Sequence, residues 1–361
     1  MIHFEKERYE ELRKTYDKWW NKELDRPVSG IVVREYDPGR PCPASPYLCQ
    51  ATCTDFSVSP EELIDRLDYD YSQYAYYGDA FPYFNMDCFG PGVVAAFLGA
   101  TLDNSSGQVW FHPKEDLPIE DIHLEYDPEN PIWNRVKAIY RAGMERWEGR
   151  MMMGMPDLGG VMDVLSTFRP GERLLLDLID KPQEVHRLVG EISALWRRYY
   201  QELSDLINPQ NNGYTDWSGL YSRDPSYILQ CDFSYMIGPE MFMEFVYEEL
   251  ASTCRWLTHP AYHLDGPGAL RHLPALLSIP ELRCIQWVPG DGSKPCVEWP
   301  EVYRQIADAG KLIHIPWRPL EECDQILKNL GDNRHVHIPP VYVEPQDRAY
   351  AEKYMRKFGV L

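Results

Sequence analysis

The chain has 361 residues, with 36 basic and 56 acidic side chains and a formal net charge of −20. That acidity, with no cluster of Lys and Arg, excludes a partner gripped through its phosphate backbone and disfavours anionic membrane surfaces. A hydrophobic content of 44% with 25% charged residues excludes the disordered and membrane-embedded classes and leaves a soluble globular protein. The charged start at His3-Phe4-Glu5-Lys6 has no apolar leader core, and the longest apolar run, Val93 to Leu98, is too short for a span, so a cytoplasmic location is expected. The nine cysteines form no C-x-x-C pair and read as reduced thiols; Cys42, Cys49 and Cys53 lack a second pair of ligands at zinc spacing.

Taken in order, residues 3–24 predict an amphipathic helix, with Phe4, Tyr9, Leu12, Tyr16, Trp19 and Trp20 near one face. Residues 1–27 thus form an N-terminal helical extension. Val28 to Val33 reads as a first strand, and a Pro- and Cys-rich loop covers 37–58. Ser59-Pro60-Glu61-Glu62 carries a capping-box helix start. A second, less regular strand within Phe81 to Met86 would deliver Asn85 and Asp87 to its end. Residues 99–128 are polar and punctuated by Gly and Pro, an insertion in the main architecture, and Asn130-Pro131 opens a helix to about Trp147.

From Met151 the pattern alternates. Strands are predicted at Met151–Met155, Tyr214–Trp217, Ala261–Asp265, Arg283–Val288, Lys311–Pro316 and Arg334–Ile338. Helices are predicted at Pro182–Ile207, Pro239–Leu257, Pro267–Ser278, Pro300–Ala309, Leu320–Leu330 and Gln346–Phe358. Repeated βα units force a parallel sheet with right-handed crossovers. Six units and two N-terminal strands make eight, the number that closes a (β/α)8 TIM barrel, here a single domain over 1–361. No G-x-G-x-x-G or P-loop supports the rival open sheet.

Barrel enzymes work at the C-terminal ends of their strands. Those positions hold Arg34, Glu35, Asn85, Asp87, Asp157, Asp216, Trp217, His263, Asp265, Trp287, Asp291, His314, Trp317, His335 and His337. In Tyr262-His263-Leu264-Asp265-Gly266-Pro267, alternation puts His263 and Asp265 on one strand face. Together with a further histidine they suit either a zinc ion with an open position or a metal-free acid/base pair. Trp217, Trp287 and Trp317 read as walls of a cleft for a flat or bulky ligand, with Asn85, Asp157 and Asp216 as further substrate contacts.

From about Pro27 to the C-terminus the chain resembles the uroporphyrinogen decarboxylase superfamily, which includes the cobalamin-dependent methyltransferases of the methylcobamide:coenzyme M type. The resemblance lies in Met153-Gly154-Met155-Pro156-Asp157-Leu158-Gly159-Gly160 before the Asp180-Lys181-Pro182 helix start. It continues in Tyr262-His263-Leu264-Asp265-Gly266, Ile285-Gln286-Trp287 and the Val336-His337 strand leading to Glu344-Pro345. It implies the same barrel. The decarboxylases' Arg-rich substrate grip is missing from Val33-Arg34-Glu35-Tyr36-Asp37-Pro38-Gly39-Arg40, whereas Asp87 falls where they keep an essential aspartate. The methyltransferases hold zinc with His-x-Cys and a later Cys. The corresponding positions here are His263, Asp265 and His337, a harder N/O set. The resemblance therefore implies a corrinoid-dependent methyltransferase with zinc, a corrinoid or corrinoid protein as co-substrate or partner, and a homodimer. The alternatives are a decarboxylase or other carbon–carbon lyase, with Asp87, His263 and Asp265 as catalytic groups, and a non-catalytic barrel binding a tetrapyrrole or corrinoid.

Overall fold

The computed structural model describes residues 2–361. Its strands are β1 (Gly30–Arg34), β2 (Tyr74–Gly78), β3 (Tyr83–Phe84), β4 (Thr101–Asp103), β5 (Trp110–His112) and β6 (Met152–Met153). They continue with β7 (Ser226–Gln230), β8 (His259–Asp265), β9 (Cys284–Val288), β10 (Leu312–His314), β11 (Val336–His337) and β12 (Val341–Val343). The fold is mixed α/β around a five-stranded parallel sheet ordered β11-β10-β9-β8-β7. A second sheet, β12-β1-β2, pairs β1 parallel to β12 and antiparallel to β2. β3 and β6 form a short parallel pair, and β4 and β5 form a hairpin within the 99–128 insertion.

The helix starts are where local chemistry puts them. Ser59 accepts from the Glu62 amide while the Glu62 carboxylate takes the Ser59 amide, the reciprocal cap of helix Pro60–Tyr71. The Asn130 side chain caps helix Pro131–Trp147 by accepting from Trp133, and helices Pro182–Ile207 and Leu320–Leu330 match their predicted spans. Two predicted helices are less regular. Pro239–Leu257 carries a π-helical turn at Met243–Tyr247, and Pro267–Ser278 begins as a 3₁₀ segment through His272 before its short α-helix.

One predicted strand is displaced. Tyr214–Trp217 is not a strand of the parallel sheet; it belongs to a tight excursion closed by reciprocal backbone bonds between Tyr214 and Ser222 (2.7 and 2.9 Å). The strand that pairs with β8 lies further on, at β7. Asp216 connects the two levels. Its backbone bridges to Met155, and its carboxylate accepts the Ile228 amide of β7 at 2.8 Å, standing in for a ladder partner. The turn before helix Val161–Phe168 also lies tight on β7, because a Cβ at Gly160 would fall 2.2 Å from the Gln230 carbonyl oxygen.

The first helix, Arg8–Trp20, is not an appendage. Tyr9, Leu12, Tyr16, Trp19 and Trp20 are all buried within the chain. Trp20 stacks on His259 at the start of β8 (4.6 Å, 6°), donates to the Tyr221 carbonyl, and offers its own carbonyl to Arg283 just before β9. The helix therefore packs at the N-terminal ends of the parallel strands. Its aromatic face is spent inside the chain.

Register orders the inner face of the sheet. Gln230, His263, Gln286, His314 and His337 are successive Cα partners across β7 to β11, so they lie at one level. The level below holds Ile228, Ala261, Cys284 and Leu312. An apolar floor thus underlies a continuous polar layer.

Truncating the aromatic plug should be costly. Trp20→Ala removes a fully buried indole and its hydrogen bond, with an expected loss of about 3–5 kcal/mol in denaturant unfolding. A loss under about 1 kcal/mol would contradict the plug's role.

Candidate metal centre

The C-terminal ends of β7 and β8 bring three groups together. Ligand atoms of Asp232, His263 and Asp265 all lie within 4.8 Å of one another. His263 and Asp265 share a face of β8, as alternation predicts, and Asp232 stands two residues beyond β7. Gly266, at a φ of +78°, turns the chain immediately after Asp265 and donates its amide to the Val288 carbonyl (2.8 Å). Asp232 and Asp265 open into a cavity of about 350 Å³ that Tyr235, Gly290 and Asp291 also line.

Two of the three ligands are held from behind. His263 Nδ1 lies 2.5 Å from Gln286 Oε1, which leaves Nε2 as the nitrogen with a free lone pair. The amides of Asp232 and Phe233 donate to the two carboxylate oxygens of Asp163 (3.1 and 2.7 Å), fixing the first turn of the segment that carries Asp232. The Trp217 ring meets His263 edge-on at 5.2 Å. Asp265 Oδ1 is buried and has no hydrogen-bond partner among the described residues. A buried carboxylate oxygen without a donor is the condition a bound cation relieves. Two carboxylates and one imidazole form a donor set fit for a divalent ion of zinc's class.

The electrostatics agree. Although Asp232 is open to water at the lip, the protein around it raises its carboxyl above the usual range; His263 offsets this and Asp265 adds to it. Burial also raises Asp87, and it raises Asp157 strongly, with the Asp87 and Asp232 charges adding to the Asp157 shift. The rim is a chain of mutually repelling carboxyl groups, which a cation would relax.

The other predicted residues are divided. Asp87 begins a 3₁₀ turn just after β3, half-buried, and Asn85 Oδ1 is buried beside it without a partner among the described residues. Asp157 is buried and accepts the Gly159 amide at 2.9 Å. Asp216, expected to contact substrate, is 2% exposed and has both oxygens engaged, by Ser218 and by Ile228, as a scaffold group. Trp287, expected as a cleft wall, is 0% exposed and packs edge-on against Trp299, because alternation turns it away from Gln286's face. Trp317 is 48% exposed beside Tyr342 at 5.8 Å.

His337, expected as the third ligand, is not part of the cluster. It shares a level with His263 but sits three strands away, about 14 Å along the sheet at roughly 4.8 Å per strand. Both of its ring nitrogens have partners, His314 Nδ1 at 2.8 Å and the Tyr16 hydroxyl at 3.3 Å. Asp232 takes the place expected of it. Sequence reasoning missed Asp232 because β7 was missed; two residues past a strand end, it occupies a standard rim position.

The buried histidines carry a pH dependence. Burial lowers His337 to about 3 and His314 well below its usual value, with His337 adding to the latter. Both are neutral in the fold and titrate near 6.5 when unfolded, so the unfolded chain binds more protons below that pH. Their contribution is complete above pH 6.5 and is lost as pH falls toward 3. Urea midpoints should drop across that window, and His337→Gln should flatten the drop by up to one proton's worth of slope; an unchanged slope would contradict a neutral buried His337.

No family model matches the sequence, and no curated protein matches it, so the chemistry of this centre is argued from its own residues.

Proposed function

We propose that this chain is a (β/α)8-barrel enzyme that holds one divalent cation, zinc by ligand type, at Asp232, His263 and Asp265. The reaction proposed is methyl transfer between a corrinoid co-substrate and a small acceptor or donor. The observation that carries the metal reading is the convergence of those three groups within 4.8 Å at two adjacent strand ends, with His263 oriented by Gln286. The methyl-transfer assignment rests on the resemblance of the His263-x-Asp265 segment to the zinc-binding segment of the methyltransferases.

Barrel closure is part of this proposal. It is supported by the parallel bridge from Val28 to His337 at one edge of the five-stranded sheet. At the other edge, support comes from the Met155–Asp216 bridge, with the Asp216 carboxylate reaching β7. With β3 and β6 placed between those edges, the proposed barrel has eight staves: the Val28 segment, β3, β6, β7, β8, β9, β10 and β11.

When bound, zinc lowers the pKa of a coordinated thiol, alcohol or water. The chain's own residues do the rest. Asp232, His263 and Asp265 bind the ion, Asp163 and Gln286 orient two of them, and Trp217 shields the imidazole edge from water. Asp87 is half-buried at the same rim, and burial raises its carboxyl above the usual range. That raised carboxyl is the observation favouring the second reading, decarboxylation: the carbon–carbon bond breaks, CO₂ leaves, and the electron pair left on carbon takes a proton that Asp87 would supply from its acid form.

Purified protein should bind about one zinc per chain. Asp232→Ala and His263→Ala should abolish binding while His337→Gln retains it. Retention in Asp232→Ala with loss in His337→Gln would overturn this ligand set. Demethylation of free methylcobalamin by a panel of thiols and alcohols, followed by its absorbance, tests the reaction; CO₂ release without methyl transfer would favour the second reading.

A further inference from the structure

The polar layer contains a residue whose chemistry the ligand set does not explain. Gln286 is 4% exposed, on β9, directly opposite His263 in register. An amide is expensive to bury in a sheet interior unless a specific bond needs it. An imidazole can present a lone pair from only one nitrogen in its neutral form, and the partner of the other nitrogen decides which. If Nδ1 carries the proton, Nε2 can ligate. In the opposite tautomer Nε2 would carry the proton and present no ligand lone pair.

We propose that Gln286 is a positioning residue that selects the metal-competent tautomer of His263, its Oε1 accepting the proton on Nδ1 and presenting Nε2 to the cation. The inference rests on the metal-binding reading above. The contact is short, at 2.5 Å, and register holds it. Gln286 touches no ion itself. It acts through the ring, as the outer partners of metal-bound histidines do. The amide is also a versatile choice. With its oxygen toward the ring it selects one tautomer; with its nitrogen toward the ring it would select the other. A glutamate in its place could only accept.

The test reads the tautomer and the affinity separately. Long-range ¹⁵N–¹H spectra of metal-free, ¹⁵N-histidine-labelled wild type, with His263 assigned by its absence in His263→Gln, should show the proton on Nδ1. A proton on Nε2 overturns the inference whatever the metal does. By calorimetric titration with zinc, Gln286→Leu should bind about 10–100-fold more weakly, at a melting temperature close to wild type, and Gln286→Glu should recover wild-type affinity or better. Equal affinity in wild type and Gln286→Leu overturns the positioning role alone; no zinc binding by folded wild type overturns the metal reading and this inference with it.

Discussion

Parallel pairing in register across β7 to β11 is the constraint on which the rest depends. It fixes the level of every inward side chain, so that Gln230, His263, Gln286, His314 and His337 form one layer. Neighbouring strands stand about 4.8 Å apart, so adjacent members of that layer come into direct contact. His263 finds Gln286, and His314 finds His337. The same spacing separates His337 from His263 and leaves the third ligand to the strand on the other side, where Asp232 follows β7. A slip of one residue in β8 would turn His263 and Asp265 outward and Leu264 inward, dissolving the centre.

A polar layer inside a sheet is tolerated only when its members satisfy one another. Here the two ends of the layer do so differently. At the β10–β11 end, the imidazoles pair with each other and with Tyr16 from the first helix, and burial keeps them neutral. At the β7–β8 end, the layer opens upward into a water-facing cleft with an excess of carboxyl groups and an Asp265 oxygen that has no hydrogen-bond partner among the described residues. One end is structural and closed, while the other is chemically unfinished. The N-terminal helix seals the opposite pole of the strands with Trp20 against His259, so the cleft is reached from the carboxylate side.

Much of this was legible in the sequence. Proline and capping residues marked the helix starts, and alternation put His263 and Asp265 on one face. What failed was the segment from 214 to 230. Ser226-Tyr227-Ile228-Leu229-Gln230 is five residues long, buried throughout and without alternation, so it offers no period to detect. Losing β7 also lost Asp232. His337 was misplaced for a different reason: sequence gives the face of a strand residue but not how many strands separate it from its intended partner. Trp287 fell on the outer face by the same alternation that made Gln286 an inner residue. No spacing rule reveals that Asp216 would serve as a ladder partner, because that role depends on the excursion closing back on itself.

The most direct measurement is the anomalous scattering of zinc in crystals grown with the ion. This account predicts a single peak within about 2.0–2.2 Å of Asp232, His263 Nε2 and Asp265. A peak between His314 and His337, or crystals of folded protein soaked in zinc with no peak at the β7–β8 rim, would contradict it.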